Sequence, residues 1–263
     1  MSQMKISAEI LASEADFFDR EAEEELKNGD LMIPPEQLLR YQRAKRCPTN
    51  TPKESLFCQL NPLAGKRVLD YGCGTGENAV LLAACGAEVT AFDISPGSIR
   101  AARRRAEMHG LSDKIQLDVL GAGQAPYAPQ SFDIITGFAI LHHLHMDLAT
   151  VYAEIASLLK PGGSAYFIEP VANSAVLRAL RTITPVPRDA TPDERQLQYA
   201  EFEMMRAHGF RQIKYEHFYC LERLRRLFGW KIAMGLRRVD YAAQRALPFV
   251  RRYYGTVLVI AHK

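Results

Sequence analysis

Apolar residues fall in short blocks separated by glycine, proline and polar clusters, and the spacing within each block sorts the blocks into strands and helices. Val68 and Leu69 close a short apolar run after Lys66-Arg67; a glycine turn follows, and residues 79–85 continue as a good helix former that stops at Gly86. Residues 88–92 give a second strand closed by Asp93, and Ser95 is placed to cap a basic helix that begins near Pro96 and ends at His109. Further strands are predicted at 114–119, 131–138 and 164–168, with a helix over 147–159 and a turn at Lys160-Pro-Gly-Gly163. Past the fifth strand the alternation lapses. Residues 173–183 read as a short amphipathic helix, Pro185, Pro187 and Pro192 impose a loop, 197–208 is helical, and 210–221 and 256–261 supply two more strands. Ahead of the first strand, residues 5–28 read as a helix with Ile6, Ile10, Leu11, Phe17, Phe18 and Leu26 on one stripe and a solvated acidic face opposite. A second helical stretch, 36–45, ends at Pro48 and Pro52.

The stretch Val68-Leu-Asp-Tyr-Gly-Cys-Gly-Thr-Gly-Glu-Asn-Ala79 organises the rest. Glycine lets the backbone approach a ligand closely, and the helix start behind it leaves unpaired N–H groups facing that ligand. A dinucleotide fingerprint needs its third glycine three residues after the second, where this chain has Glu77. No Lys-Ser/Thr pair follows the last glycine, which also disfavours a P-loop. Asp70, two residues before the first glycine, is suited to an amino group rather than a pyrophosphate.

This segment resembles the glycine loop of class I S-adenosylmethionine-dependent methyltransferases, of the small-molecule group that includes quinone-biosynthesis and bacterial secondary-metabolism enzymes. Ala91-Phe-Asp-Ile-Ser95, Ser131-Phe-Asp-Ile-Ile-Thr-Gly-Phe138 and Leu159-Lys-Pro-Gly-Gly163 follow in that family's order across residues 66–170. The resemblance implies an α/β, Rossmann-like sheet of seven mostly parallel strands with an antiparallel last strand, helices on both faces, and helical caps at the N-terminus and after strand five. It implies one domain over 1–263: a helical N-terminal cap (1–60), a cofactor-binding core (61–170), a cap or lid (171–212) and C-terminal strands with a basic helical insert (213–263). The implied cofactor is S-adenosyl-L-methionine, converted to S-adenosyl-L-homocysteine, with Asp70, Gly72, Gly74, Gly76, Asp93, Ile94, Gly121, Ala122 and Phe138 around it. Asp93 would take the ribose hydroxyls. Many relatives carry an acid where Gly121 stands, so the adenine contacts fall to the backbone at Gly121 and Ala122, with Gln124 as a side-chain substitute.

On the acceptor side stand His142, His143 and Glu169, because imidazole exchanges a proton near neutral pH and strand-end carboxylates face the ligand crevice in such sheets. The alternative for the histidines is capping and packing of the next helix, and for Glu169 an ion pair. The spacing of His142, His145 and Asp147 matches no zinc signature, so no metal is expected. Tyr41, from the N-terminal cap, is a candidate substrate contact or a packing residue.

Composition narrows the partners. The 263 residues are 48% hydrophobic with a net charge of +3, which does not announce a nucleic-acid partner. Five scattered cysteines with no C-x-x-C pair are expected to be reduced thiols. No run is long and apolar enough to span a bilayer, and no leader pattern is visible, so a cytoplasmic protein is expected. Charge is nonetheless segregated: residues 1–30 hold nine acids against Lys5, Arg20 and Lys27, while 221–252 hold nine Lys/Arg against Glu222 and Asp240. That basic insert has three readings: cover for the acidic N-terminal helix, a pocket for an anionic acceptor, or a peripheral membrane contact. An RNA-modifying enzyme and a non-catalytic cofactor-binding subunit remain as alternative functions, although the Asn/Asp-Pro-Pro-Tyr motif of many base methylases is missing.

Overall fold

The computed structural model describes residues 8–29, 31–47, 50–174, 195–221 and 230–263, with side chains described at all of these except 8 and 230–234. Their centre is a seven-stranded sheet: β1 (Arg67–Tyr71), β2 (Glu88–Asp93), β3 (Ile115–Val119), β4 (Phe132–Phe138), β5 (Leu159–Pro170), β6 (Gln212–Phe218) and β7 (Thr256–His262). The order across it is β3-β2-β1-β4-β5-β7-β6, parallel except where β7 runs antiparallel between β5 and β6. After β3 the chain returns to the far side of β1, so the glycine loop after β1 and the turn after β4 flank one crevice. Such a reversal beyond the strands' carboxyl ends is where open α/β sheets bind ligands.

Period-two alternation decides what each face carries. Leu69, Tyr71, Phe167, Val257 and Val259 point into a core shared with α6 (Leu148–Leu158) and with α7 (Tyr199–Glu203). Val68, Tyr166, Leu258 and Ile260 point the other way, into a core built with α3 (Pro52–Leu60), α4 (Glu77–Ala84) and α5 (Pro96–Met108). Asp70 shares the parity of Val68 and therefore the α3–α4 face. Glu169 shares the parity of Phe167 and looks toward α6.

Several predicted boundaries shift. Pro52 does not end a helix but begins α3: it sits at the first position, where proline's missing N–H costs nothing, behind a Thr51–Glu54 capping box. The preceding stretch is the short α2 (Pro35–Gln42). Lys160-Pro-Gly-Gly163 is the irregular start of β5 rather than a separate turn, with Gly162 at φ 76°. Residues 197–208 are helical only from Tyr199, and their second half is a tighter 3-10 helix, Met204–His208. The predicted helix over 173–183 falls, from residue 175 onward, outside the described residues, as do Arg223, Arg225 and Arg226.

The N-terminal helix α1 (Ala8–Asn28) lies on α5, and its acidic face is not simply solvated. Asp19 accepts from the Ser95 hydroxyl and the Gly97 amide at the start of α5, at 2.5 and 2.6 Å. Glu25 meets Arg105, which is 5% exposed and also donates to the carbonyls of Leu31 and Thr75. Arg105 is thus buried between α1 and the glycine loop. The C-terminal helix α8 (Trp230–Ala246) packs instead on β6 and on the 3-10 segment Pro248–Tyr253. Cover of the acidic helix by the basic insert is therefore not what the described residues show; α5 supplies the cations.

Candidate active site

The crevice beyond β1 and β4 is a cleft of about 690 Å³ including its mouth. Its walls include Gly72 and Gly74 from the glycine loop, Asp93 and Ile94 after β2, Ala122, Phe138, Ile140 and His143. Leu11, Glu14 and Phe18 of α1 form its roof. The three loop glycines do different things. Gly74, at φ 52°, has open space where a side chain would project, so a ligand can come against its backbone. A β-carbon on Gly76 would fall 2.6 Å from that of Ala102, so this glycine serves the packing of α4 on α5. Gly76 and Gly121 are not on the cleft wall, and neither is Asp70, which lies buried behind the glycine turn.

Asp70 is completely buried at the end of β1. One carboxylate oxygen accepts from the Thr136 hydroxyl at 3.1 Å; the other, Oδ2, has no hydrogen-bond partner among the described residues. Burial pushes its carboxyl up from 3.8 to about 7, against the lowering influence of Thr136 and of the Lys53 cation. A buried carboxylate with a bare oxygen is costly unless a cation or donor joins it. Lys53, which the sequence did not single out, stands nearby on α3: its Nζ is 3.1 Å from Glu77 Oε1 and 5.8 Å above the Phe138 ring. Its signal was present in Thr51-Pro-Lys-Glu54, a helix start that aims the next turn at β1's face.

Asp93 receives the Gly74 amide at 2.9 Å and the Ser95 amide at 3.0 Å, which ties the loop after β1 to the loop after β2. Burial raises its carboxyl, while those amides lower it. Ser95, not Asp93, caps α5, accepting from the Ser98 amide. The loop after β3 is held by a residue that sequence reading missed: Glu154 of α6 accepts from the amides of Gly123 and Ala125 and from the Tyr71 hydroxyl, at 2.7–2.9 Å.

On the far wall Glu169 is fully buried and does not face the cleft. It accepts from the amides of Ile140 and Leu141 at 2.9 and 2.8 Å and pairs with His142 Nδ1 at 2.8 Å. Its carboxylate thereby fixes the turn after β4, where Ala139 is held at φ 53°. His142 is buried behind that turn, and its ring lies 4.3 Å from that of His143. Of the pair, His143 reaches the cleft, with Nδ1 3.2 Å from Glu14 Oε1 of the α1 roof. Tyr41 is not at the cleft: it packs on Phe57 at 4.9 Å in the α3 core, and burial pushes its hydroxyl up to about 12. A second cavity, about 790 Å³, lies apart from these residues, between β6, α8 and the residues Arg46, Cys47, Asn50 and Ser55.

Residues 68–163 match the family model described as a methyltransferase domain. That match covers little more than a third of the chain, and over it the sheet order and the glycine turn are similar to those of a Rossmann-like methyltransferase domain. Among relatives, the methyltransferase GfsG of Streptomyces halstedii is 41% identical over 112 residues, 42% of this chain and 40% of that protein. A ubiquinone biosynthesis O-methyltransferase of Ralstonia nicotianae is 36% identical over 135 residues, 48% of this chain and 55% of its own. The chain thus spans about half the length of these relatives. The crystal structure of geranyl diphosphate C-methyltransferase from Streptomyces coelicolor A3(2), in complex with Mg2+, geranyl diphosphate and S-adenosyl-L-homocysteine, shares the fold at a TM-score of 0.56. There the identity is 16%, covering 80% of this chain and 77% of that one.

Proposed function

We propose that this protein transfers the methyl group of S-adenosylmethionine to a small-molecule acceptor and releases S-adenosylhomocysteine. The observation that carries the reading is the buried, bare oxygen of Asp70 beneath an open glycine turn. The cofactor's methionine end is a zwitterion, so its ammonium needs an acceptor and its carboxylate a donor. Asp70 supplies the first and Lys53 the second. Asp93 takes the ribose hydroxyls, and the backbone at Ala122, positioned by Glu154, meets the adenine. Ile94 and Phe138 supply apolar walls, and the Leu11 and Phe18 side chains of α1 exclude water from above.

When bound, the cofactor supplies an electrophilic methyl group on a sulfonium. The protein's task is to hold the acceptor in line in a dry cleft, and to remove a proton where the acceptor carries one. His143 is the base: with Nδ1 directed to Glu14, it takes the proton at Nε2. His142 and Glu169 position the turn that carries it. Support for the acceptor class comes from relatives named for ubiquinone biosynthesis and from a fold neighbour holding geranyl diphosphate, which favour an aromatic or isoprenoid-like compound of secondary metabolism. Cysteines scattered without a disulfide pattern and the lack of a membrane-spanning helix among the described residues fit a cytoplasmic site of action.

Incubation with methyl-labelled cofactor and a panel of phenolic, quinol and prenyl compounds tests the proposal. Label is expected in a small product, with release of S-adenosylhomocysteine. Label found only in RNA or protein would overturn it.

A further inference from the structure

The C-terminal helix α8 is fastened to the sheet by one face only. Asp240 is buried and accepts from the Cys220 and Leu221 amides at 2.9–3.1 Å, and the Gln244 side chain donates to the His217 carbonyl at 3.2 Å. The opposite face is exposed at Arg238, Val239, Ala242, Arg245 and Ala246, which at 100° per residue share an arc of about 120°. The chain then continues this surface: Leu247 is 47% exposed, Phe249 62%, and Arg251 and Arg252 are exposed beside them.

Two properties of this surface point the same way. Large apolar groups stand in water where none of the described residues covers them, with Val239 at 51% exposure. Around them, Arg238, Arg245, Arg251 and Arg252 have no carboxylate partner among the described residues. Arg245 instead meets the Tyr241 hydroxyl, Arg251 the Gln244 carbonyl and Arg252 the Tyr253 ring. Of the acids of α1, Glu14, Asp19 and Glu25 are engaged with His143, α5 and Arg105.

We infer that this surface, Arg238 to Arg252, docks the protein on an anionic phospholipid membrane. An amphipathic segment of this kind lies in the interface with its apolar side chains among the acyl chains and its arginines among the phosphates. A second copy of the chain would bring arginines against arginines, and a nucleic acid would leave Val239 and Leu247 without a role. The inference goes beyond methyl transfer and is measurable without turnover.

The test is flotation of the intact protein with phosphatidylcholine vesicles that contain or lack phosphatidylglycerol. Binding is expected only to the anionic vesicles, weakening as salt is added. Each arginine near the surface is worth about 1 kcal/mol, so R251E/R252E, which removes two, is expected to lower partitioning by roughly thirtyfold or more. Phe249→Ser is expected to lower it by roughly tenfold, the effect of removing one inserted aromatic ring. The charge-preserving R251K/R252K retains binding, and all variants melt like the parent. Failure to float at low salt, equal binding to neutral vesicles, indifference to these substitutions, loss in R251K/R252K, or binding to single-stranded RNA but not vesicles would each overturn the inference.

Discussion

Asp70 concentrates the tension between stability and function at the residue scale. In the free protein its carboxyl titrates near 7, against 3.8 in an unconstrained chain. The native state therefore holds this proton more tightly than the unfolded state. The group costs stability above pH 7, and the cost disappears as pH falls toward 4. Asp70→Asn is accordingly expected to raise the melting temperature of the unliganded protein at pH 8, by about 2–4 °C for each kcal/mol relieved, while cofactor affinity falls roughly a hundredfold. A lowered melting temperature would show that the carboxylate is a structural anchor instead. Lys53 makes a separable contribution. Lys53→Met is expected to weaken S-adenosylhomocysteine binding about tenfold yet leave 5′-methylthioadenosine, which lacks the amino-acid end, unaffected. Equal losses for both ligands would remove Lys53 from the cofactor's carboxylate.

Among the elements, α1 and α3 show what the sequence left hidden. The apolar stripe of α1 was legible, but which helix its acids would meet depends on packing that no spacing encodes. Thus Arg105, one of several arginines on α5, reads like its exposed neighbours and is instead the buried link between α1, residue 31 and the glycine loop. Arg105→Met leaves Glu25 and two carbonyls without a donor; urea unfolding should show a loss of about 3 kcal/mol. A change below about 0.5 kcal/mol, the ordinary surface value, would show that the link contributes nothing. Helix α3 was legible in principle, since a Thr-Pro-x-Glu run is a start signal, but two prolines close together read more readily as a break. Missing it hid Lys53. Tyr41 and Glu169 were placed by sequence at the site and do not line it; side-chain direction sends one into the α3 core and the other behind the turn after β4.

For the whole molecule, strand alternation and glycine punctuation located the strands, and the family resemblance supplied their arrangement in the sheet. Residues such as Val68, Leu69 and Tyr71 must divide between two faces, and the connections between strands then leave few arrangements. Of the residues that the resemblance placed at the cofactor, Gly74 and Asp93 follow from their places at the ends of β1 and β2, where position along the chain fixes position in space, and both line the cleft. His143 was also named from the sequence, but its partner Glu14 was not, because the two come from segments far apart in the chain, and the basic surface of α8 takes its meaning from the partners it lacks among the described residues. The central claim is that this cleft binds S-adenosylmethionine through a charge pair at Asp70. Calorimetric titration of the intact protein with the cofactor across pH 5.5–9 tests it most directly. Binding should be strongest between about 7, where Asp70 ionises, and about 8, where the cofactor's α-amino group loses its proton. On the acid side it should weaken roughly tenfold per pH unit, and the acid limb should vanish in Asp70→Asn. No binding at any pH, or a profile on which Asp70→Asn has no effect, would contradict the account.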